Sequence, residues 1–591
     1  MPPRLRNDRR PRPTRPGASA NGSHAGRFGR ALLLASAART RAVAADGLTT
    51  PELPVPAGAA DAAEPPSAVR AAGAEQRRTW TERIDGLRAG RSWPAWIGSV
   101  LTRHWLAALL LLAGLVMRIL AQLAYSPAIL YIDSVKYLYN GWEGTDPVGY
   151  RILLKPLADL TGLASVTAVQ HLFGLAMAVL IYLLLLRRGA NRYLAALAMA
   201  PILLDGYQLQ AEQTIMPDVF FEFLLVVAFV VFLWQETATW RTVIITGFML
   251  GCAVTVREVG LIAIVPPLLY LVVAKREAWV DIFGKCVAVI VAFIIPIFLY
   301  GGYSLATTHH LLSEKGSFAG RLAESVDCVT IKLPAAVRPM CPTPAEQKES
   351  PDWLEHSKYS PLIKGIPPGQ RALLVSEFDH AVERQQPLRV IGSVLRDSIR
   401  LFEVNRTDIA VTTPIWRWQF QTHFPTFKGE IAVRKNGTII LGYQVHFSSP
   451  WHYYTMPKEW GGKAKVNKPI ASFLRSYQLN GGFTPGPLLL AFTIFGLLGS
   501  VLALVRKWNS PRGRQIALAA GFFFATAVGL LLVADVYVFS WRYQLMALIT
   551  LPPAGVLGFA ALTDLFRRRG SSGNAPAAVE SSAADAGASV A

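Results

Sequence analysis

Residues 104–139 read HWLAALLLLAGLVMRILAQLAYSPAILYIDSVKYLY. The run from His104 to Tyr125 is predominantly apolar, and a helix needs about 20 such residues to cross a bilayer. Pro127 ends the run, and Asp133 and Lys136 follow within a few residues. The stretch therefore predicts a membrane-spanning helix that leads into a polar loop.

The composition excludes two broad classes of protein. Hydrophobic residues make up 52% of the 591 residues and charged residues only 17%, with a net charge of +20. A soluble protein has about 25% charged residues, and a disordered chain needs low hydrophobicity. A basic excess is typical of cytoplasmic loops in a membrane protein, so we expect the lipid bilayer, and not nucleic acid, as a partner.

Further apolar segments predict an all-α polytopic membrane protein with about ten transmembrane helices. The ten segments lie near 104–125, 166–186, 193–205, 218–234, 242–256, 259–274, 284–305, 485–505, 516–534 and 541–563. The third, fifth and sixth are short, so we expect them to be packed inside the bundle or broken near the membrane surface. The transmembrane parts are thus 96–305 and 485–566.

The short loops predict the orientation, because cytoplasmic loops carry an excess of Lys and Arg. With the N-terminus inside, the inner loops hold 14 basic residues and the short outer loops hold 5. The inner ones are Arg187, Arg188, Arg192, Arg241, Lys275, Arg276, Lys285, Arg506, Lys507, Arg512, Arg514 and Arg567 to Arg569. The bias predicts a plasma-membrane protein with both termini in the cytoplasm.

Both terminal segments are predicted to be disordered cytoplasmic tails, because neither has an apolar period that could build a core. They are the basic segment 1–95 and the Ala/Ser-rich segment 567–591. The alternative for 1–95 is a basic arm that touches anionic headgroups.

Two segments are predicted to face outward: a first loop, 126–165, and an α+β domain, 306–484, between spans seven and eight. In the domain, 371–405 has the period of two amphipathic helices, which lie on the outer leaflet, roof a cavity or face a core. Lys435-Asn436-Gly437 between apolar runs predicts a hairpin turn.

Cysteine usage allows one disulfide. Cys328 and Cys341 both fall in the predicted outer domain, where an oxidising environment permits a bond. The alternative is two unrelated thiols.

Charged and polar residues gather at the outer ends of the predicted spans, where such groups are expensive and usually functional. The members that we take as candidate site residues are Asp133, Lys136, Glu212, Asp218, Arg257, Glu258, Arg542 and Tyr543. Each of them singly could cap or anchor a helix end, and Asp133 in particular could N-cap Ser134–Tyr139. Jointly they form one layer.

This layer contains the parts needed to transfer a sugar from a lipid phosphate. A phosphate leaving group needs cations, which Arg and Lys provide. An acceptor hydroxyl needs a base, for which Asp133 is the candidate, and a single displacement would invert the anomeric centre. Because no metal-ligand cluster, Walker loop or Ser/His/Asp set occurs at useful spacing, no cofactor is expected; the need for a divalent metal stays open. His171, in the second span, is interpreted as a packed, satisfied histidine.

Three short stretches carry a resemblance to GT-C membrane glycosyltransferases: YIDSVKYLY at 131–139, EQTIMPD at 212–218 and WRY at 541–543. The chain resembles the branch with protein O-mannosyltransferases and the transferases that add aminoarabinose to lipid A. This implies a polyprenyl-phosphate sugar donor and an outward-facing site. It also implies that Asp133 is the catalytic acid of the first loop, Asp218 the acid that starts span four, and Arg542 an arginine near the lipid phosphate.

One departure from the family pattern concerns the first loop, where the family often has two adjacent acids but Ser134 follows Asp133 here. The sequence leaves the acceptor open between a protein, a glycolipid and an envelope glycan. Two other functions also remain. One is a transporter or flippase of a lipid-linked sugar, which the charged residues Arg118 and Glu222 inside predicted spans would favour, and the other is a non-catalytic envelope scaffold.

Overall fold

The computed structural model describes residues 93–139, 149–275, 277–308, 318–409, 411–443, 450–505 and 511–572. The predictions for the two tails fall outside these ranges, apart from 93–95, which begin the first helix, and 567–572, which end the last.

The described chain is mostly helical, with a small amount of sheet. The helices before the outer region are α1 Trp93–Arg103, α2 Trp105–Ala124, α3 Ser134–Tyr139, α4 Gly149–Thr161, α5 Leu163–Arg187, α6 Arg192–Leu204, α7 Gly206–Gln213, α8 Asp218–Trp234, α9 Trp240–Val256, α10 Val265–Ala274 and α11 Trp279–Thr308. The later helices are α12 Ala319–Ser325, α13 Pro351–His356, α14 Pro368–Gln385, α15 Pro387–Ile399, α16 Lys468–Leu479, α17 Gly486–Leu504, α18 Pro511–Tyr537 and α19 Met546–Ser572.

Helices occur at all ten predicted segments, and six are long and apolar enough to cross a membrane. These six are Trp105–Ala124, Leu163–Arg187, Trp279–Ala306, Gly486–Leu504, Pro511–Tyr537 and Tyr543–Phe566. The short segments are broken: Asp205 interrupts the chain between α6 and α7, and a 3-10 turn, Glu258–Ile264, precedes α10. Ten complete spans therefore stay a prediction.

Helix α2 illustrates why the bundle suits a bilayer. Its buried residues recur at helical spacing, while the opposite face exposes large apolar side chains that water would disfavour and lipid would not. The buried set includes Ala107, Gly114, Met117, Arg118 and Ala121. The exposed set includes Leu109, Leu112, Val116, Ile119 and Leu123.

The segment between α11 and α17, which we call the outer region after its predicted location, has two parts. The first, which holds α12 to α15, has its own small core around Leu322, Leu354 and Phe378, beside the disulfide that joins Cys328 to Cys341. The second contains an antiparallel sheet of β2 Ile431–Val433, β3 Ile439–Tyr443 and β4 His452–Thr455. The predicted hairpin turn is confirmed, since Val433 pairs with Ile439 and Gly437 has a φ of 84°.

The second part packs on the transmembrane bundle. Trp418, Phe427 and Leu441 belong to the same hydrophobic core as the bundle helices. A short ladder also pairs β1 Tyr125–Ser126, at the outer end of α2, with β5 Lys465–Val466. This contact brings the aromatic segment 416–427 over the first outer loop.

Both predicted amphipathic helices form, as α14 and α15, but the apolar face of α15 is not covered. Leu388, Ile391, Leu395 and Ile399 are all exposed, with Leu388 at 80%. On another face, Ser398 donates a hydrogen bond to Asp535 at the outer end of α18, over 2.6 Å. The interpretation of α15 as an ordinary core-facing helix is therefore wrong for this stripe, and contact with the outer leaflet stays a prediction.

The outer region also has a pH-sensitive carboxyl group, Asp379. One of its oxygens is buried with no hydrogen-bond partner in the described chain. Burial, together with the charges of Glu383 and Glu355, raises its pKa to about 7, against the opposing effect of His380. The folded state then holds the proton of Asp379 more tightly than the unfolded chain does, so protonation of this carboxyl stabilises the fold. This contribution to the free energy of unfolding is present below about pH 4 and is lost as the pH rises through 7.

We therefore expect Asp379→Asn to raise the melting temperature more at pH 8 than at pH 5. Thermal unfolding of the purified protein at both pH values measures this. Glu377→Gln, at an exposed position of the same helix, is the control and should change neither value. An equal effect of Asp379→Asn at both pH values would contradict the assignment.

Candidate functional site

Three segments that are far apart in the chain meet at Arg542. Asp133 lies just before α3, Asp218 is the first residue of α8, and Arg542 lies just before the 3-10 turn Tyr543–Leu545. The Nη1 of Arg542 donates to Oδ2 of Asp133 at 3.4 Å, and its Nε lies 3.4 Å from Oδ1 of Asp218. The structure thus brings together the three residues that the family resemblance singled out.

Two further cations complete this group. Arg257 donates a hydrogen bond to Asp218, and Lys136 Nζ lies 3.7 Å from Oδ1 of Asp133. We call these five residues, Asp133, Lys136, Asp218, Arg257 and Arg542, the Arg542 cluster. It carries three positive and two negative charges. Asp218 and Arg542 are buried, whereas the side chain of Asp133 is 27% exposed.

Aromatic rings surround the central guanidinium. The rings of Trp418 and Tyr543 lie 4.8 Å from it, and that of Tyr131 lies 5.9 Å away. Tyr543 also lies 4.9 Å below the guanidinium of Arg257, so this predicted site residue contacts two of the cations. Flat rings exclude water and leave the guanidinium edges for anions.

Asp133 does not act as a helix cap. In the described chain its carboxylate contacts Lys136 and Arg542, and no backbone N–H of α3 binds it. Burial raises the pKa of Asp133, but the positive charges of Lys136 and Arg542 lower that pKa by more. The Asp133 carboxylate therefore stays ionised at pH values at which an ordinary aspartate would take up a proton.

Ser134 explains why no second acid follows Asp133 directly in the first loop. Its hydroxyl accepts from the backbone N of Tyr131 at 2.8 Å and donates to the carbonyl of Ile215 at 2.8 Å. The residue is fully buried, so a carboxylate there would be a charge among backbone groups. The second acid on Arg542 is instead supplied by Asp218.

Glu212 lies elsewhere than in the Arg542 cluster. It is fully buried in α7, 2.7 Å from Arg118 Nη2 and 2.9 Å from Nδ1 of His171. Gly174 of α5 makes room for this pair, because a Cβ there would lie 2.1 Å from the Glu212 oxygen. The placement of Glu212 in the outer layer missed this pair, since nothing in the sequence marks Arg118 as its partner.

His171 is confirmed as a packed, satisfied histidine. Its second ring nitrogen, Nε2, lies 2.8 Å from the side-chain oxygen of Gln213. Glu222 is buried in the same region and accepts from Gln208 at 2.9 Å. Arg118, His171 and Glu222 are thus each paired with another buried polar group.

Glu258 opens the 3-10 turn that follows Arg257 and is half-buried. Within the described ranges no group of three or more His, Cys, Asp or Glu residues is placed to hold a metal ion.

Sequence reasoning missed the contribution of the outer region to the site. Trp418 packs against both Arg542 and Tyr131, and its ring centroid lies 4.5 Å from that of Tyr131. Arg417 donates to the hydroxyl of Tyr131 at 3.1 Å. The available signal was the aromatic density of 416–427, which gave no indication of the partner.

Comparison with known proteins gives one family match. Residues 162–312, about a quarter of the chain, match the model of the dolichyl-phosphate-mannose-protein mannosyltransferase family. The matched segment runs from α5 to α11 and includes Asp218 and Arg257, but not Asp133 or Arg542. This match confirms the resemblance to GT-C membrane glycosyltransferases.

A similar solved structure is the protein O-mannosyltransferase Pmt1–Pmt2 complex of S. cerevisiae bound to the sugar donor, at 18% sequence identity with a TM-score of 0.28. The likeness covers 37% of this chain, which spans about a third (36%) of that relative. No curated protein matches the chain.

Proposed function

We propose that this chain, as a GT-C membrane glycosyltransferase, moves a sugar from a polyprenyl-phosphate donor to an acceptor hydroxyl at the outer face of the plasma membrane, with inversion. The observation that carries the proposal is the meeting of Asp133, Asp218 and Arg542 in one chain of ion pairs. Segments this far apart are brought together at high desolvation cost, which a structural role alone does not require.

The charge of the Arg542 cluster suits such a donor. Lys136, Arg257 and Arg542 exceed the two carboxylates by one positive charge. A polyprenyl-phosphate sugar is a phosphodiester and carries one negative charge, so binding would neutralise the site. Arginine adds directional hydrogen bonds to phosphate oxygens.

The transfer step moves one electron pair at each bond. The acceptor oxygen attacks the anomeric carbon and forms the new glycosidic bond. The bond from that carbon to the phosphate oxygen breaks, and its electron pair leaves with the polyprenyl phosphate. Asp133 takes the hydroxyl proton. The phosphate gains one negative charge as Asp133 loses one, so the total charge of the site is unchanged.

Donor binding would also activate the base. Without donor, Lys136 and Arg542 hold the pKa of Asp133 below its ordinary value. A phosphate that takes over these cations weakens their hold on Asp133, and the pKa of its carboxyl rises toward that of a better base. The base thus becomes effective only when donor is bound.

The two alternative functions lose their support. Arg118 pairs with Glu212 and donates to the carbonyls of Ile202 and Leu203 at 3.1 and 3.0 Å. Such a packed residue needs no transported ligand to explain it. A scaffold would not need the Arg542 cluster.

The topology supports an outward-facing site. The helix α8 begins at the site and, at 1.5 Å per residue, its 17 residues put the 235–239 loop about 25 Å away. Arg188 donates to the carbonyls of Leu233 and Gln235 at that far end. The basic residues that mark a cytoplasmic face therefore lie opposite the Arg542 cluster.

A labelling experiment tests this orientation. In a variant in which Cys252 and Cys286 are replaced by Ala, a new cysteine is introduced by Lys435→Cys. We expect this cysteine to react with an impermeant thiol reagent in intact cells. One at Thr237 should react only after the cells are opened. Both positions are exposed. The reverse pattern would overturn the orientation and the donor hypothesis with it.

The function itself is tested by a transfer assay with purified protein and a panel of polyprenyl-phosphate sugars. We expect one donor of the panel to lose its sugar to an acceptor with inverted configuration. Retained configuration, or transfer from nucleotide sugars only, would contradict the proposal.

A further inference from the structure

A second candidate binding site lies beside the Arg542 cluster. It is a cleft of about 290 Å³, including its open mouth, between the first outer loop, the end of α7 and the segment 416–427. We call it the aromatic cleft. Its principal lining residues are Tyr131, Gln210, Trp416, Arg417, Trp418 and Phe427.

The walls of the aromatic cleft are flat rings. Trp416 and Phe427 stack with their centroids 6.2 Å apart, and Phe427 meets Tyr131 edge-on at 5.2 Å. Trp416 is 47% exposed, which is unusual for so large an apolar side chain. Rings of this kind bind the apolar C–H faces of a sugar ring.

Three lining residues carry a buried polar atom with no hydrogen-bond partner in the described chain. They are Oε1 of Gln210, Nε of Arg417 and Nε1 of Trp418, and Gln210 is only 3% exposed. Leaving such atoms unpaired is costly, so a bound group is the natural explanation.

The chemistry of these atoms selects the ligand. Gln210 offers an acceptor, while Arg417 and Trp418 offer donors. A hydroxyl can both donate and accept, whereas a phosphate ester only accepts and a hydrocarbon does neither. A neutral ring that carries several hydroxyls matches both the polar atoms and the flat walls.

The position of the cleft assigns this ring to the acceptor. None of the five residues of the Arg542 cluster lines it. Tyr131 and Trp418 line the cleft and also pack against Arg542, so they form a shared wall. The donor sugar must stay next to its phosphate, on the Arg542 side of that wall.

We propose that the aromatic cleft holds a sugar ring of the acceptor, and that the acceptor is therefore a saccharide and not a polypeptide. This inference rests on the proposed transfer function and names its acceptor class. The receiving hydroxyl, on a neighbouring ring, would reach Asp133 past Tyr131.

Direct binding tests this without turnover. The probes are methyl glycosides of mannose, galactose, glucose and arabinose, the matching disaccharides and a threonine-rich peptide, followed by saturation-transfer NMR. We expect wild-type and Asp133→Asn proteins to bind one glycoside and its disaccharide. Trp416→Ala should weaken that binding about tenfold, as expected for the loss of a stacking ring.

Two variants make the result specific. Gln210→Leu removes an unpaired oxygen, so it should keep the melting temperature while weakening glycoside binding. Tyr453→Ala removes an aromatic ring that is 60% exposed in the same outer region but does not line the cleft, and it should bind normally. In transfer assays Trp416→Ala should raise the KM for the saccharide and leave kcat and donor affinity unchanged.

Three outcomes would overturn the inference. In the first, the wild-type protein binds no glycoside. In the second, the peptide serves as acceptor and the Trp416→Ala protein transfers sugar to it at the normal rate. In the third, donor and glycoside compete for binding, which would place the donor sugar in the cleft. The second outcome would leave the transferase proposal intact, since transfer would still occur. Failure of the transferase proposal would instead appear as absence of transfer from every donor. The glycoside-binding measurement does not depend on transfer, so the two failures can be told apart.

Discussion

Replacing Asp133 by asparagine should lower the transfer rate about a hundredfold or more while the protein stays folded and binds donor. The carboxylate contacts Lys136 and Arg542 and is partly exposed, which is where an incoming hydroxyl would need a base. Asparagine keeps the shape and removes the basicity. Because the lost charge also frees the two cations, donor affinity should be unchanged or higher.

The control for this experiment is Asp159→Asn. Asp159 is also paired with a lysine, Lys155, at 3.1 Å and also lies in the first outer loop, but it is far more exposed. Its variant should turn over at close to the wild-type rate. Single-turnover rates, donor binding and melting temperature are measured for both. A well-folded Asp133→Asn protein with near-normal turnover would exclude Asp133 as the base, and another group would then have to take the hydroxyl proton.

The membrane helices could be predicted from the sequence because their signal is local. Apolar runs identified α2, α5, α11 and α17 to within a few residues, since length and composition alone set that pattern. The hairpin at Gly437 was equally local, because its turn needs a residue that tolerates positive φ. The breaks at Asp205 and before α10 could be expected only in general terms, from shortness.

The site could be predicted where its residues are charged and lie near the ends of apolar spans. Charges at span ends are expensive, and this alone singled out Asp133, Asp218, Arg257 and Arg542. The same reasoning grouped Glu212 with them, because the sequence does not show that the buried Arg118 of α2 is its partner. A charged residue near a span end can thus be a site residue or half of an internal pair, and only the partner decides.

The aromatic wall was beyond prediction for a related reason. Trp418 lies more than 280 positions from Tyr131 in the chain, and their contact depends on how the outer region docks on the bundle. That docking uses a two-residue ladder, Tyr125 with Val466 and Ser126 with Lys465, too short to leave a pattern. Long-range packing of this kind is decided by shape, which composition does not record.

Replacing Arg542 should have the second largest effect, this time on donor binding. If its guanidinium holds the donor phosphate, Arg542→Ala should lose a charge-assisted hydrogen bond of about 1.5–3 kcal/mol, which weakens binding roughly 10- to 150-fold. Arg542→Lys should recover only part of this, because an ammonium lacks the planar fork. Equilibrium binding of the polyprenyl-phosphate sugar to protein in nanodiscs measures the effect.

The fold should survive these changes, and this makes the result interpretable. Removing one member of a buried ion pair is costly when the other is left alone. Here Asp218 keeps Arg257 and Asp133 keeps Lys136, so neither carboxylate is stranded. Arg188→Lys, at a buried arginine on the opposite end of the bundle, is the control: it should lower the melting temperature without changing donor affinity. Normal donor binding by a folded Arg542→Ala protein would show that the arginine only anchors the start of α19, and the phosphate would then have to bind through Arg257 and Lys136.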